Sequence, residues 1–280
     1  MPAEGVRLSE RDLILSYEEL TFLVRCIQRE WRVGKVRISG GEPLVRPDIE
    51  TFIRMLRGLD IPDVTLTTNG QRLAETVSAL TAAGLRRINI SLPSLDADTF
   101  RRLSRGGDLA RTLAGIESAR AHGLRPVKLN MLVLRGVNDT EVADALRFAL
   151  ERDCEMRFLE LMPMGPAKSL FDEWFTPWRD VLDRLAQCFT LRQLAEEPES
   201  SARRYAVECS GRILGTVGFV PSWSDPFCGA CNRLRITADG RGPLRRADAA
   251  AVVTAVREAL SSKRAAHRYA HPRVMATTGG

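Results

Sequence analysis

Cys228 and Cys231, separated by two residues, are the pair in this chain most plainly spaced for chemistry. Cys-x2-Cys is the spacing at which two thiolates grip one metal ion or one edge of an iron–sulfur cluster. Two thiolates do not complete such a site. A four-cysteine zinc ribbon needs a second pair, and the three histidines (His122, His267 and His271) lack zinc-finger spacing. A redox Cys-x-x-Cys opens a helix after a strand, a position this pair does not occupy. Just beyond it, Arg233 and Arg235 flank Leu234. In an extended segment the two guanidinium groups point to the same side, either clasping a triphosphate bidentately or standing as two solvated arginines. Far upstream, Arg37-Ile38-Ser39-Gly40-Gly41-Glu42-Pro43-Leu44-Val45-Arg46 joins branched strand residues to a glycine pair. Glycines there let the backbone approach a ligand closely.

Groups so far apart need a scaffold to bring them together. Ser16 with Glu19 makes a capping box, and Leu20, Leu23, Val24, Ile27 and Trp31 share one face, which predicts a helix over 16–31. Strands are expected at 35–38, 64–67, 87–91, 127–134 and 156–161, with helices at 47–56, 73–80, 109–119 and 142–150 between them. This alternation predicts parallel βαβ units with right-handed crossovers. Thr67-Thr68-Asn69-Gly70, Asn89-Ile90-Ser91-Leu92, Lys128-Leu129-Asn130 and Leu161-Met162-Pro163 fall at strand ends. A parallel βα barrel gathers its chemistry at the carboxyl ends of its strands. A helix ahead of the first visible strand suggests a further strand upstream. After Met162 the alternation stops; a helix over 180–189, a hairpin of 204–208 with 212–220, and a final helix over 250–261 are expected. The expected division is a barrel over 1–164 and an α+β extension over 165–280, which carries the Cys-x2-Cys knuckle and a terminal Gly279-Gly280.

At 280 residues and 44% hydrophobic the chain can bury a large core. No apolar run reaches the roughly 20 residues that span a bilayer, and the first residues lack the pattern of a secretion signal, so a cytoplasmic protein is expected. Six scattered cysteines make no disulfide framework. The formal charge is +6, but the 37 arginines and four lysines are spread without a basic block, which argues against nucleic acid and leaves an anionic small molecule.

Read in order, Arg37 to Arg46, Leu66 to Gly70, Asn89 to Ser91, Pro126 to Asn130, Arg157 to Pro163 and Phe227 to Gly240 resemble the GTP 3′,8-cyclase family of molybdenum cofactor biosynthesis, radical S-adenosylmethionine (SAM) enzymes. The resemblance implies a partial (β/α)6 TIM-type barrel holding a SAM-cleaving 4Fe-4S cluster, and a C-terminal extension with a second cluster beside GTP. By residue it implies SAM contacts at Gly40, Gly41, Glu42, Pro43, Ser91 and Met162, and GTP contacts at Arg37, Thr68, Lys128, Arg233, Leu234 and Arg235. It also implies cluster ligation by Cys228 and Cys231, and entry of Gly279 and Gly280 into the site. The reaction implied is abstraction of the ribose 3′ hydrogen of GTP and attack of the sugar radical on C8. The product is (8S)-3′,8-cyclo-7,8-dihydroguanosine 5′-triphosphate, which cyclic pyranopterin monophosphate synthase would consume. A homodimer is compatible with the resemblance.

The sequence departs from that pattern at two ligand sets. The family's Cys-x3-Cys-x2-Cys loop is followed directly by Met-Pro, and Met1-Pro2 stands there, so the SAM-cluster cysteines are expected in the in-frame sequence upstream. Arg241-Gly242-Pro243 runs straight into Leu244-Arg245-Arg246, where a deletion is expected to have removed the third ligand of the other cluster. Pro93 also stands where the family usually has an acidic residue. The alternative expectation is therefore a GTP-binding paralogue or relic without radical chemistry.

Overall fold

A computed structural model describes residues 14–195, 200–226, 233–240 and 248–261. Helix α1 (Tyr17–Glu30) opens on the expected capping box, with Ser16 Oγ accepting from Glu19 N and the Glu19 carboxylate from Ser16 N. Then follow β1 (Lys35–Ile38), a 3-10 turn (Pro43–Val45), α2 (Ile49–Arg57), β2 (Asp63–Thr68), α3 (Leu73–Ala82) and β3 (Arg87–Ser91). Next come α4 (Ala97–Ser104), α5 (Leu109–Ala121), β4 (Val127–Leu132), α6 (Val142–Glu151) and β5 (Glu155–Leu159). The remainder holds α7 (Phe171–Trp174), α8 (Trp178–Ala186), β6 (Thr190–Gln193), β7 (Arg203–Cys209), β8 (Arg212–Val220) and α9 (Ala249–Ser261).

The strands form one sheet in the order β1-β2-β3-β4-β5-β8-β7-β6. Strands β1 to β5 pair in parallel, and β8 continues the parallel set by pairing with β5. The chain is thus an α/β protein with a partial TIM-type barrel. The expected β7–β8 hairpin is present, but β8 is also the sixth parallel strand, a pairing that local sequence does not announce. Helix α4, which the alternation did not predict, is capped by Asp96, whose carboxylate accepts from Thr99 N. Strand β6 was also unforeseen, and residues 233–236, expected to be extended, lie in no strand.

Residues alternate sharply across the sheet. Val64, Leu66, Ile88, Ile90, Leu129, Met131, Met156, Phe158, Val217 and Phe219 belong to the main apolar core, shared with α2, α3, α5, α6 and α8. With a side-chain period of two, the intervening positions face the other way. These are Arg37, Asp63, Thr65, Thr67, Arg87, Asn89, Ser91, Lys128, Asn130, Glu155 and Arg157. Ordinary barrels fill this inner face with branched apolar side chains; here it is polar and charged. Helix α1 joins the main core through Val24, and its other buried apolar residues, Leu23 and Cys26, pack with Leu15 and with Val252 of α9 in a smaller cluster, with Arg257 bridging to Glu30 at 3.0 Å.

Candidate functional site

Register places Thr67, Asn89, Lys128 and Glu155 in one row across four adjacent strands. A second row runs Ser91, Asn130, Arg157, Gly218 and Arg204. Between the rows, the buried Glu155 carboxylate collects cations. It accepts from Lys128 Nζ at 3.2 and 3.1 Å and from Arg157 Nε at 2.6 Å, and an Arg204 amino group stands 4.0 Å away. Gly218 makes room for them, since a Cβ there would meet the Arg157 side chain at 3.4 Å and Glu155 Oε1 at 3.8 Å.

Burial alone would raise the Glu155 carboxyl, but Arg157 and Lys128 outweigh it and hold it below the usual carboxylate range. Lys128 is lowered to about 8, first by burial and then by Arg157, with Glu155 opposing. Arg37 reaches solvent, yet crowding by protein atoms, then Arg233 and Arg157, lowers its guanidinium. Arg37, Lys128, Arg157, Arg204 and Arg233 therefore share one electropositive basin, with Glu155 among Lys128, Arg157 and Arg204, and Asp63 acting on Arg37 from the basin's edge. Asp63 answers a separate pair, Lys35 at 3.0 Å and Arg87 at 2.7 Å.

The glycine-pair loop stands at the carboxyl end of β1. Glu42 pins it to the end of β2, accepting from Thr68 Oγ1 at 2.7 Å, Asn69 N at 2.7 Å and Leu44 N at 3.0 Å. Pro43, buried, starts the 3-10 turn that follows. Gly40 and Gly41 lie just before Glu42, and a Cβ on Gly41 would enter open space. Ser91 is exposed at the end of β3, and Met162 follows β5 half-buried. Thr68 is buried; its hydroxyl donates to Glu42 and accepts from Gly70 N at 3.0 Å, so it braces the loop, while neighbouring Thr67 takes the inner face.

At the tip of β5 a second buried carboxylate, Glu160, organises the approach to the knuckle. It accepts from Trp178 N, Trp223 N and Ser224 N, each at 2.9 Å, and from Ser224 Oγ. Cys228, Cys231, Gly279 and Gly280 lie outside the described residues. Past the knuckle, Arg233 acts on Arg37. Leu234 and Arg235 line a small apolar groove with Leu23 and Ile27 of α1 and Val252 and Val256 of α9. Sequence reading missed Glu155, Arg157, Arg204 and Glu160. The signal for the first two was present: Glu155-x-Arg157 on a strand puts both charges on one face.

A cluster needs several converging thiolates. Among the described residues no group of three or more His, Cys, Asp or Glu side chains could hold a metal, and the described cysteines (buried Cys26 and Cys154, exposed Cys188 and Cys209) are scattered. The described residues by themselves hold no such ligand set, and the expected ligands Cys228 and Cys231 lie outside them.

Sequence comparison decides the lineage. The pattern of the Radical SAM superfamily matches residues 5–149, and that described as Molybdenum Cofactor Synthesis C matches residues 154–244. The GTP 3′,8-cyclase of Geobacter sulfurreducens is 41% identical over 242 residues, covering 86% of this chain and 73% of that protein. The chain belongs to the GTP 3′,8-cyclase family of the radical SAM superfamily. The Listeria monocytogenes member is 40% identical over 244 residues, covering 86% of this chain and 72% of its own. The Moorella thermoacetica GTP 3′,8-cyclase is 36% identical over 300 positions, all of this chain and 92% of that protein. Those 300 positions exceed the 280 residues of this chain, so part of that alignment faces gaps here. Among solved structures, Streptococcus suis SuiB bound to S-adenosylmethionine shares the fold at a TM-score of 0.50, 18% identity, and coverage of 65% of this chain and 42% of SuiB. Family membership implies a 4Fe-4S cluster and SAM as cofactors. No helix among the described residues is long and apolar enough to cross a membrane.

Proposed function

We propose that this chain binds GTP in the inner-face basin, its phosphates held by Arg37, Lys128, Arg157 and Arg233, as a GTP 3′,8-cyclase by lineage. The basin itself carries the reading: five cations from β1, β4, β5, β7 and the segment after β8 gather there, and three of them, Lys128, Arg157 and Arg204, converge on one buried carboxylate. A tetra-anion is the kind of ligand such an excess suits, because charge-assisted hydrogen bonds are strongest where water is scarce. SAM would lie along the Gly40-Gly41 loop, near the exposed Ser91 and the half-buried Met162. In the family's reaction SAM supplies the hydrogen-abstracting radical. This chain's residues bind the triphosphate and fix the SAM loop through Glu42.

A second reading, a GTP-binding paralogue without radical chemistry, rests on the sequence, where Arg241-Gly242-Pro243 runs straight into Leu244-Arg245-Arg246 at the place expected for the third ligand of the C-terminal cluster. Anaerobic reconstitution with iron and sulfide separates the two: a 4Fe-4S absorbance with 5′-deoxyadenosine formation supports the enzyme, and its absence the paralogue. A cytoplasmic location, a homodimer and hand-over of product to cyclic pyranopterin monophosphate synthase complete the proposal.

Calorimetry with GTP tests the basin. Hydrogen bonds to charged groups contribute about 1.5–3 kcal/mol, so Arg157→Ala is expected to weaken binding roughly ten- to hundredfold. Arg235→Ala asks whether the second arginine reaches the ligand from its groove; unchanged affinity removes it from the site. Absence of GTP binding by the unaltered chain overturns the reading.

A further inference from the structure

The basin contains a group that works against its proposed ligand. Glu155 occupies the donors a phosphate would use, since Lys128 and Arg157 both hydrogen-bond to it and Arg204 stands at 4.0 Å. Its neighbours in the same row, Thr67, Asn89 and Lys128, carry no other acid. The other carboxylate of the inner face, Asp63, is engaged with Lys35 and Arg87. A neutral Gln would fill the same volume without a buried charge, and burying a charge is costly. An acid at this position therefore needs a reason beyond packing.

We propose that Glu155 is a built-in counter-anion of the basin, which an arriving triphosphate displaces from Lys128 and Arg157, so that this one carboxylate sets how tightly the nucleotide is held. This rests on the reading of the basin as a GTP site. In the free state Glu155 offsets the mutual repulsion of the cations, visible in the lowering of Lys128 by Arg157 and of Arg37 by Arg233 and Arg157. Once phosphate oxygens sit on Lys128 and Arg157, the same carboxylate becomes a close like charge. Its side chain is only 6% exposed, so salt screens that repulsion weakly. The empty basin gains stability and the filled one loses affinity. Because the triphosphate is carried unchanged from GTP to the cyclised nucleotide, the device would favour release.

The test uses the full chain, with calorimetry of GTP and, separately, of inorganic tripolyphosphate, alongside thermal melting without ligand. Relief of one unscreened like charge is expected to make Glu155→Gln bind both anions about tenfold more tightly, while its ligand-free melting temperature falls. Glu155→Asp keeps the charge and should stay within about threefold of the unaltered chain. A structural brace moves affinity the other way, because loosening Lys128 and Arg157 weakens binding. Equal or weaker binding by a cooperatively melting Glu155→Gln overturns the proposal. If that variant does not fold, Glu155→Thr, neutral and smaller, carries the same expectation. Failure of GTP but not tripolyphosphate to bind would sink the substrate reading while the counter-anion is still judged on tripolyphosphate. Binding of neither anion by any variant would sink both.

Discussion

Lys128 is the residue whose charge the basin holds most loosely. Its folded pKa of about 8 lies below the 10.5 of a free lysine, lowered by burial and Arg157, with a further push from Arg204 and a counter-pull from Glu155. Between those two values the unfolded chain binds more protons than the folded one, so this lysine makes folding stability rise with pH from about 8 to 10.5. Anion binding has the opposite sign, because it needs the ammonium. GTP affinity is therefore expected to fall between pH 7 and pH 9 in the unaltered chain and to hold in Lys128→Arg, whose guanidinium stays charged. Calorimetry at both pH values checks this, and equal losses in the two proteins would clear Lys128 of responsibility. At this scale the sequence was partly legible. The strand-end position of Lys128 could be read from pattern, but Thr67 and Thr68 are chemically identical neighbours. Only the burial of one against Glu42 and the hydrogen bond of the other to Asn89 tell them apart.

Among the elements, α5 comes unusually close to the strand-end loop that Glu42 fastens. A Cβ on Gly115 would lie 2.7 Å from Gly70 O and 3.1 Å from Leu73 Cβ, so a helix-interior glycine here is a packing requirement. In an exposed helix Ala would gain about 1 kcal/mol over Gly. Here the backbone oxygen cannot yield cheaply, and overpacking costs about 1–3 kcal/mol. Gly115→Ala is expected to destabilise the fold by up to about 2 kcal/mol, the difference between those terms. Urea unfolding measures it, and a stabilised variant would show that α5 can move away from the loop. Helices and strands with strong periodicity were legible because local patterning fixes them: β1, β3 and β8 have the expected bounds. Helix α4 has one fully buried large side chain, Phe100, and follows β3 closely, so its pattern carries little signal beyond the Asp96 cap. Edge strand β6 is four largely exposed residues that depend on β7 for their pairing.

Across the whole molecule, the two matched sequence regions are joined by more than a connection. Strand β8 completes the sheet beside β5, and Glu160 clasps the end of β5 to the start of α8 and to the segment entering the knuckle. Glu160 is 3% exposed, and removing it would leave three backbone donors without their acceptor. Each unsatisfied buried donor costs about 1–3 kcal/mol, so Glu160→Ala is expected to lose at least about 3 kcal/mol. Glu160→Gln should lose much of the same, because its amide NH2 would face donors. Denaturant midpoints decide; a loss below about 1 kcal/mol for the Ala variant would mean water replaces the clasp. The partial barrel could be read from alternation, since each βα unit is local. The β5–β8 pairing could not, because its partners are separated by two helices and two antiparallel strands whose order carries no periodic signal.

That same pairing shapes how the chain is made. Strand β5 leaves the ribosome with one edge open, and its parallel partner β8 follows only after residues 160–211 have been added. At about 5–20 residues per second, roughly fifty residues take about 3–10 seconds. For that interval Met156 and Phe158 belong to a nascent sheet whose edge is an unpaired template for other chains. The newborn sheet is accordingly open to edge-to-edge pairing during one defined window, and that window closes when Val217 and Phe219 seat beside Met156 and Phe158.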